Sequence, residues 1–273
     1  MASSEGVKGG RASRAPLPGV SPGSAASAET ADASGRDARP PVPVAVLCGG
    51  FGTRLGELTR DLPKPMLPVG GRPYLERVLA SFAERGFHDF VLLTGYRADV
   101  IEQHFKNGEA FGYHIEYSRE TEPLGTGGAL REARQLLGDR FIMTFGDVLR
   151  RFDYDRFVQQ HIGNALAVYP RLTHGNADVA EGFITRFSKH APELPYLDAG
   201  FALMHAGTID LLPEVGPCSF EEVVYANLAE HGSLEAEIVD HDFFDIGTPE
   251  ELAKTKAALE DGLDRPHPQR EID

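Results

Sequence analysis

The stretch Val44-Ala45-Val46-Leu47-Cys48-Gly49-Gly50-Phe51-Gly52-Thr53-Arg54-Leu55 decides how this chain folds. Residues 44–47 form a short apolar run bounded by Pro43 and by Gly49-Gly50, the texture of a buried strand that ends in a glycine turn. Glycine there lets backbone N–H groups approach a phosphate chain or a base with no Cβ in the way. The turn is a candidate nucleotide cradle, although glycines alone read equally well as an ordinary strand-to-loop turn. Two familiar cradles do not fit. A dinucleotide fingerprint starting at Gly50 needs glycine where Leu55 stands, and no Gly-x4-Gly-Lys-Ser/Thr loop occurs.

Outward from this strand, apolar runs and helical spacings alternate. Pro73 followed by Leu75, Val78, Leu79 and Phe82 predicts a helix closed by Gly86, and Phe90 to Leu93 a second buried strand. Ala98 to Phe105 reads as a short helix, Tyr113 to Tyr117 as a strand, Thr126 to Leu137 as a helix, and Phe141 to Phe145 as a strand ended by Gly146-Asp147. Alternation of this kind implies right-handed βαβ units and a largely parallel sheet covered on both faces, an α/β fold. Beyond Asp147 the expected strands are Leu166 to Tyr169, Phe183 to Phe187 and Phe201 to Met204, with helices at Phe220 to Leu228 and Pro249 to Leu259.

Of the first 42 residues, 27 are Ala, Ser, Gly or Pro and none is aromatic, too little apolar surface to offset the entropy of ordering. Residues 1–42 are therefore expected to be a disordered extension, 43–262 a single domain, and 263–273 a flexible tail. With 41 Asp+Glu against 27 Lys+Arg, the chain is no general binder of nucleic acid or of anionic membranes, so any phosphate must be held locally. Cys48 and Cys218 lie far apart with no Cys-x-x-Cys spacing, which suggests neither a disulfide framework nor a zinc site and fits a reducing compartment. No run approaches the roughly 18 apolar residues of a membrane span. A soluble, cytoplasmic enzyme is the expectation, and the sequence is compatible with a homo-oligomer.

The glycine turn gains chemistry from its continuation, Leu62-Pro63-Lys64-Pro65-Met66-Leu67-Pro68. Three prolines around one lysine make a stiff segment that holds the ammonium at low entropic cost, so Arg54 and Lys64 are two fixed cations. In this order and spacing, Gly-Gly-x-Gly-Thr-Arg-Leu followed by Pro-Lys-Pro resembles the nucleotidyltransferases that activate sugar 1-phosphates. The resemblance covers Val44 to Leu259 and is densest before Asp147. It implies a Rossmann-like three-layer sandwich with a mostly parallel mixed central sheet, of the nucleotide-diphospho-sugar transferase type. It also implies a reaction in which a nucleoside triphosphate and a sugar 1-phosphate give a nucleoside-diphosphate sugar and pyrophosphate.

Site residues follow from the same resemblance. Leu47, Gly49, Gly50, Gly52 and Thr53 would lie against the nucleotide while Arg54 and Lys64 grip its triphosphate. Glu122-Pro123-Leu124-Gly125-Thr126-Gly127-Gly128 looks like the second base-recognition loop, with Gly125 and Thr126 facing the base; by residue type alone it is also a helix cap. Asp147 ends a predicted strand, where open α/β sheets place ligands, and a carboxylate there suits Mg²⁺. Asp245, in Phe243-Phe244-Asp245-Ile246-Gly247-Thr248-Pro249, resembles the second metal aspartate; each aspartate alone could equally be a turn residue. Lys189 would contact the sugar phosphate, with a solvated surface lysine as the plainer alternative, and Asp198 and Gly200 belong to a sugar-contacting segment that commonly has asparagine where Asp198 stands. Ser188 replaces a glutamate usual in relatives. Cys48 reads as a small buried residue rather than a reactive thiol.

The texture of residues 122–129 looks closest to heptose- and mannose-1-phosphate guanylyltransferases, favouring GTP; uridylyl, thymidylyl and cytidylyl transfer share the skeleton. A non-catalytic module of this fold would be expected to lose Arg54, Lys64 or a metal aspartate, and all four are present. A metal-dependent glycosyltransferase would use an Asp-x-Asp motif, whose nearest match, Asp153-Tyr154-Asp155, falls in a predicted helix.

Overall fold

The computed structural model describes residues 42–190, 193–240 and 243–260. The expected extension and tail lie outside them, Val42 excepted. In chain order the elements are β1 (Val44–Leu47), β2 (Pro68–Val69), β3 (Arg72–Pro73), α1 (Tyr74–Ala83), β4 (Asp89–Thr94), α2 (Ala98–Phe105) and β5 (His114–Arg119). They continue with α3 (Gly125–Glu132), β6 (Arg140–Phe145), β7 (Val148–Arg150), α4 (Tyr154–Gln160), β8 (Asn164–Gly175), β9 (Ala177–Ala180) and β10 (Phe183–Phe187). The last are β11 (Leu194–His205), α5 (Ala226–Glu230), β12 (Leu234–Ile238), β13 (Phe243–Asp245) and α6 (Pro249–Glu260).

One nine-stranded sheet runs β5-β4-β1-β6-β11-β8-β12-β10-β9. Its first four strands are parallel, as the alternation predicts; β11 lies antiparallel to both β6 and β8, and β12 runs parallel to β8. The parallel character is thus concentrated in the half of the sheet that the sequence reads most clearly. Residues alternate across the sheet: Val44 and Val46 join one apolar cluster with Phe90, Leu92 and Ile142, while Ala45 joins another with Val91, Leu93, Phe141 and Met143. Both faces are therefore covered, giving the three-layer α/β sandwich.

Helix α1 shows why the sequence packs this way. Leu75, Val78, Leu79 and Phe82 stand at helical spacing and each is at most 2% exposed, so a single stripe faces the sheet. Phe82 stacks on Tyr154 of α4 with centroids 4.4 Å apart. Truncating such a side chain to alanine costs about 3–5 kcal/mol.

The strand order also places the site. From β1 the chain moves to β4 and β5 on one side, then returns to β6 on the other, so a crevice opens beyond the carboxyl ends of β1 and β6. Asp153 of the Asp-x-Asp triplet is the N-cap of α4, its side chain accepting from Arg156 N–H at 3.0 Å. The predicted helix at Phe220 is in fact a π-helical turn, Glu221–Tyr225, running into α5. Among the described residues no helix is long and apolar enough to cross a membrane.

Candidate active site

Two cavities open at the carboxyl end of the parallel strands. One, of about 420 Å³, is lined by Leu47 to Arg54, Lys64, Glu120, Gly125 and Thr126. The other, of about 370 Å³, is lined by Arg150, Asn176, Lys189, Asp198, Gly200, Glu221 and Asp245. Thr126, Phe145 and Asp147 belong to both. Every residue predicted for the nucleotide thus lies in the first cavity, every residue predicted for the sugar phosphate in the second, and Asp147 stands where they meet.

Local sequence explains the first cavity. A Cβ on Gly49 would meet Glu120 Oε1 at 2.6 Å, and one on Gly52, whose φ is +63°, would crowd Lys64 Cβ at 3.1 Å. At Gly52 the φ and the crowding together demand glycine, whereas at Gly49 the neighbour is only the movable carboxylate end of Glu120. Gly50 meets no such demand, because nothing stands within 4 Å of where its Cβ would be; its bareness leaves room for something outside the chain. Arg54 is exposed at the start of a 3₁₀ turn, its Nη2 3.4 Å from the Cβ position of Gly247 in the Gly-Thr-Pro turn.

Lys64 is held deep in its Pro-Lys-Pro segment, 7% exposed. Its Nζ donates to Asp147 Oδ2 at 2.5 Å and lies 3.8 Å from Asp245 Oδ1. Asp147 follows β6, whereas Asp245 ends β13, which pairs with β7 in the register Val148↔Asp245. Burial, and next the charge of Asp147, push the Asp245 carboxyl above its usual range, partly opposed by Lys64. Among the described residues no group of three or more His, Cys, Asp or Glu is placed to hold a metal. The available donor set is this carboxylate pair, and one or two carboxylates completed by water and phosphate oxygen suit Mg²⁺. Cys48 is buried, and its thiol is pushed far up by burial and then by Asp147, so it is not a nucleophile.

Thr126 sits as predicted, but its hydroxyl is already engaged. It donates to Glu221 Oε2 at 2.5 Å and accepts from Phe220 N–H at 2.9 Å. What Thr126 offers a nucleotide is therefore backbone. Gly125 has φ +71°, and a Cβ there would lie 2.5 Å from Cys218 O, so packing alone demands glycine.

In the second cavity, Lys189 Nζ lies 3.1 Å from Glu221 Oε2 and donates to Ser219 Oγ at 3.1 Å. Burial alone would raise the Glu221 carboxyl, yet Lys189, Thr126 and Ser219 together hold it below its usual range. The Leu197-Asp198-Ala199-Gly200 segment forms a bulge in β11, where the register against β8 shifts between Asp198 and Ala202. Gly200 takes φ +64° and donates its N–H to Asp198 Oδ1 at 2.6 Å. Burial pushes the Asp198 carboxyl up to about 6, against the pull of that N–H.

Sequence reasoning missed Glu120, Arg150 and Glu221. Glu120 directly follows β5 at the same sheet edge as Asp147, so the rule that found Asp147 also marks it. Arg150 shares the face of Val148 on β7, a charged residue at an inward position. Glu221 carries no sequence signal, since its importance comes from contacts across the fold.

The family model described as nucleotidyl transferase matches residues 44–181. The mannose-1-phosphate guanylyltransferase of Mycobacterium tuberculosis is 33% identical over 235 residues, covering 81% of this chain; the chain spans 66% of that protein's length. The D-glycero-alpha-D-manno-heptose 1-phosphate guanylyltransferase of Campylobacter jejuni is 31% identical over 211 residues, 76% of this chain and 95% of that one. The crystal structure of HddC from Yersinia pseudotuberculosis complexed with GMP-PN superposes with a TM-score of 0.69 at 26% identity, covering 80% of this chain and 99% of that one. Because the family match runs unbroken from β1 through the glycine turn, the Pro-Lys-Pro segment and Asp147, the chain belongs to the nucleotidyl transferase family.

Proposed function

We propose that this protein is a sugar-1-phosphate guanylyltransferase, condensing GTP with a mannose- or heptose-type sugar 1-phosphate to give a GDP-sugar and pyrophosphate. The observation that carries the reading is the meeting of two cavities at Asp147, one framed by a glycine turn with two cations, the other by polar groups suited to a sugar. Such an arrangement holds donor and acceptor phosphates against each other. The reaction then needs alignment and charge neutralisation more than proton transfer, because a sugar phosphate is already an anionic nucleophile at neutral pH. An acceptor phosphate oxygen bonds to the α-phosphorus as the bond to the β-phosphate breaks, and pyrophosphate leaves. Arg54 and Lys64 neutralise the charge developing on the triphosphate. Asp147 and Asp245 would hold a magnesium ion, which when bound screens the two reacting phosphates from one another. Lys189, Asp198 and Gly200 position the acceptor.

Glu120 favours guanine. Its carboxylate stands beside Gly49 and accepts from Leu124 N–H at 3.1 Å, next to the Gly125 loop assigned to the base. Guanine presents two adjacent donors, N1–H and the 2-amino group, which a carboxylate accepts together; the other bases lack that pair. A cytoplasmic location fits substrates of this kind.

The test is pyrophosphate release over a grid of nucleoside triphosphates against mannose-, glucose-, heptose- and amino-sugar 1-phosphates, with Mg²⁺. GTP with mannose or heptose 1-phosphate should dominate. No release in any combination overturns the transferase reading in favour of a binding module.

A further inference from the structure

Of the two cations lining the second compartment, Arg150 makes no ion pair within 4.0 Å among the described residues. It is 6% exposed, yet its Nε is buried without a hydrogen-bond partner and its Nη1 reaches only Val148 O, at 3.5 Å. Lys189, by contrast, is neutralised by Glu221. A guanidinium carries five N–H donors in a planar fork, and burying one unpaired is costly. The local structure nevertheless secures it. Arg150 pairs with Phe243 in the β7–β13 register, its carbonyl accepts from the Tyr154 hydroxyl at 2.6 Å, and Leu149 N–H is held by the Tyr74 hydroxyl at 3.1 Å. Across the cavity its Nη2 occupies the place a Cβ on residue 200 would take, against the ring of Phe145, so the glycine at 200 makes room for this guanidinium.

The geometry points to Arg150 as a specificity-determining residue that grips an oxyanion of the acceptor, through the planar fork that matches carboxylate and phosphate. This rests on the transferase reading. The oxyanion is either the 1-phosphate, common to every acceptor, or a second acidic substituent such as a carboxylate or another phosphate on the sugar. Asp198, the charged residue of the bulge, spends Oδ1 on Gly200 N–H and feels the charge of Arg150, which pulls its carboxyl down against burial, but no hydrogen bond joins the two side chains among the described residues, so the fork stays open to the ligand.

The experiment is calorimetric titration of the full chain and of Arg150→Met and Arg150→Lys. The probes are GTP and, separately, mannose 1-phosphate, glucuronic acid 1-phosphate and mannose 1,6-bisphosphate, with unfolding temperatures measured in parallel. Arg150→Met should weaken acceptor binding about 10- to 100-fold, leave GTP within about twofold, and keep or raise the unfolding temperature, because an unpaired buried charge is removed. Arg150→Lys, which lacks the fork, should recover only part. Uniform loss over all three sugar phosphates assigns the 1-phosphate, and loss confined to the two doubly acidic probes assigns the second group. Unchanged acceptor affinity in Arg150→Met, or weaker GTP binding together with a lower unfolding temperature, overturns the proposal and makes Arg150 structural. If the wild-type chain binds GTP but none of the sugar phosphates, the transferase reading itself fails and this proposal falls with it.

Discussion

The Lys64 ammonium lies 2.5 Å from one oxygen of Asp147 and 3.8 Å from one of Asp245, so a single cation joins two carboxylates delivered by different strands. Without it, two like charges would face one another at the junction of the cavities. Lys64→Met should therefore lower stability by about 1–3 kcal/mol at neutral pH, the partial exposure of both carboxylates limiting the loss. Added Mg²⁺ should restore part of that deficit, and turnover should fall on the order of 10²–10³-fold. Denaturant unfolding with and without Mg²⁺, beside a pyrophosphate-release assay, reads all three.

At Asp147 two effects oppose one another. Asp147→Asn relieves the repulsion that helps push Asp245 up but gives up the charge of the Lys64 ion pair, so its unfolding temperature should stay near that of the wild type while pyrophosphate release is lost. The thermal shift that Mg²⁺ gives the wild type should also vanish. Full activity with an unchanged Mg²⁺ response would remove Asp147 from the metal site.

Base selection is tested at Glu120. Glutamine keeps the size but replaces one acceptor oxygen by a donor, leaving one of the two guanine donors unmatched. Glu120→Gln should lower kcat/KM for GTP about 10- to 200-fold and narrow its advantage over ATP, CTP and UTP in competition. An unaltered preference would move base recognition elsewhere.

Asp198 provides a pH signature. Its folded carboxyl is raised from 3.8 to about 6 by burial, so between those values the folded chain binds a proton that the unfolded chain has released. Stability from this group consequently falls as pH rises from about 4 to 6 and stays reduced above that. Asp198→Asn lacks the ionisation. It should be more stable than the wild type at pH 8, with the gap closing towards pH 4, measured as the difference between the two denaturation curves at each pH.

How much of this was legible before the structure depends on the kind of contact involved. Strand β1, helix α2 and strand β10 stand where apolar spacing puts them, because each is a regular run whose own pattern of apolar residues and flanking turns marks it, whatever distant strand it pairs with. The glycine turn, Lys64 and Asp147 were readable because each belongs to a short motif, the first and last at strand ends and Lys64 between two prolines at the start of a 3₁₀ turn. Strands β7, β12 and β13 were not, since β7 and β13 are three residues each and exist through their mutual register. Glu221 shows the limit most clearly, being a buried carboxylate whose partners Thr126 and Lys189 lie 95 and 32 positions away. Nothing in the local pattern distinguishes it from Glu222, which is exposed.

That same carboxylate touches both compartments. One oxygen, Glu221 Oε2, accepts from Thr126 beside the nucleotide compartment, and from Ser219 while Lys189 of the acceptor compartment lies at 3.1 Å. A sugar phosphate that drew Lys189 towards itself would leave this oxygen to Thr126 and Ser219 alone. The expected outcome is that the dissociation constants of the two ligands change together, each by the same factor when the other is present, which titration of one ligand at fixed levels of the other measures.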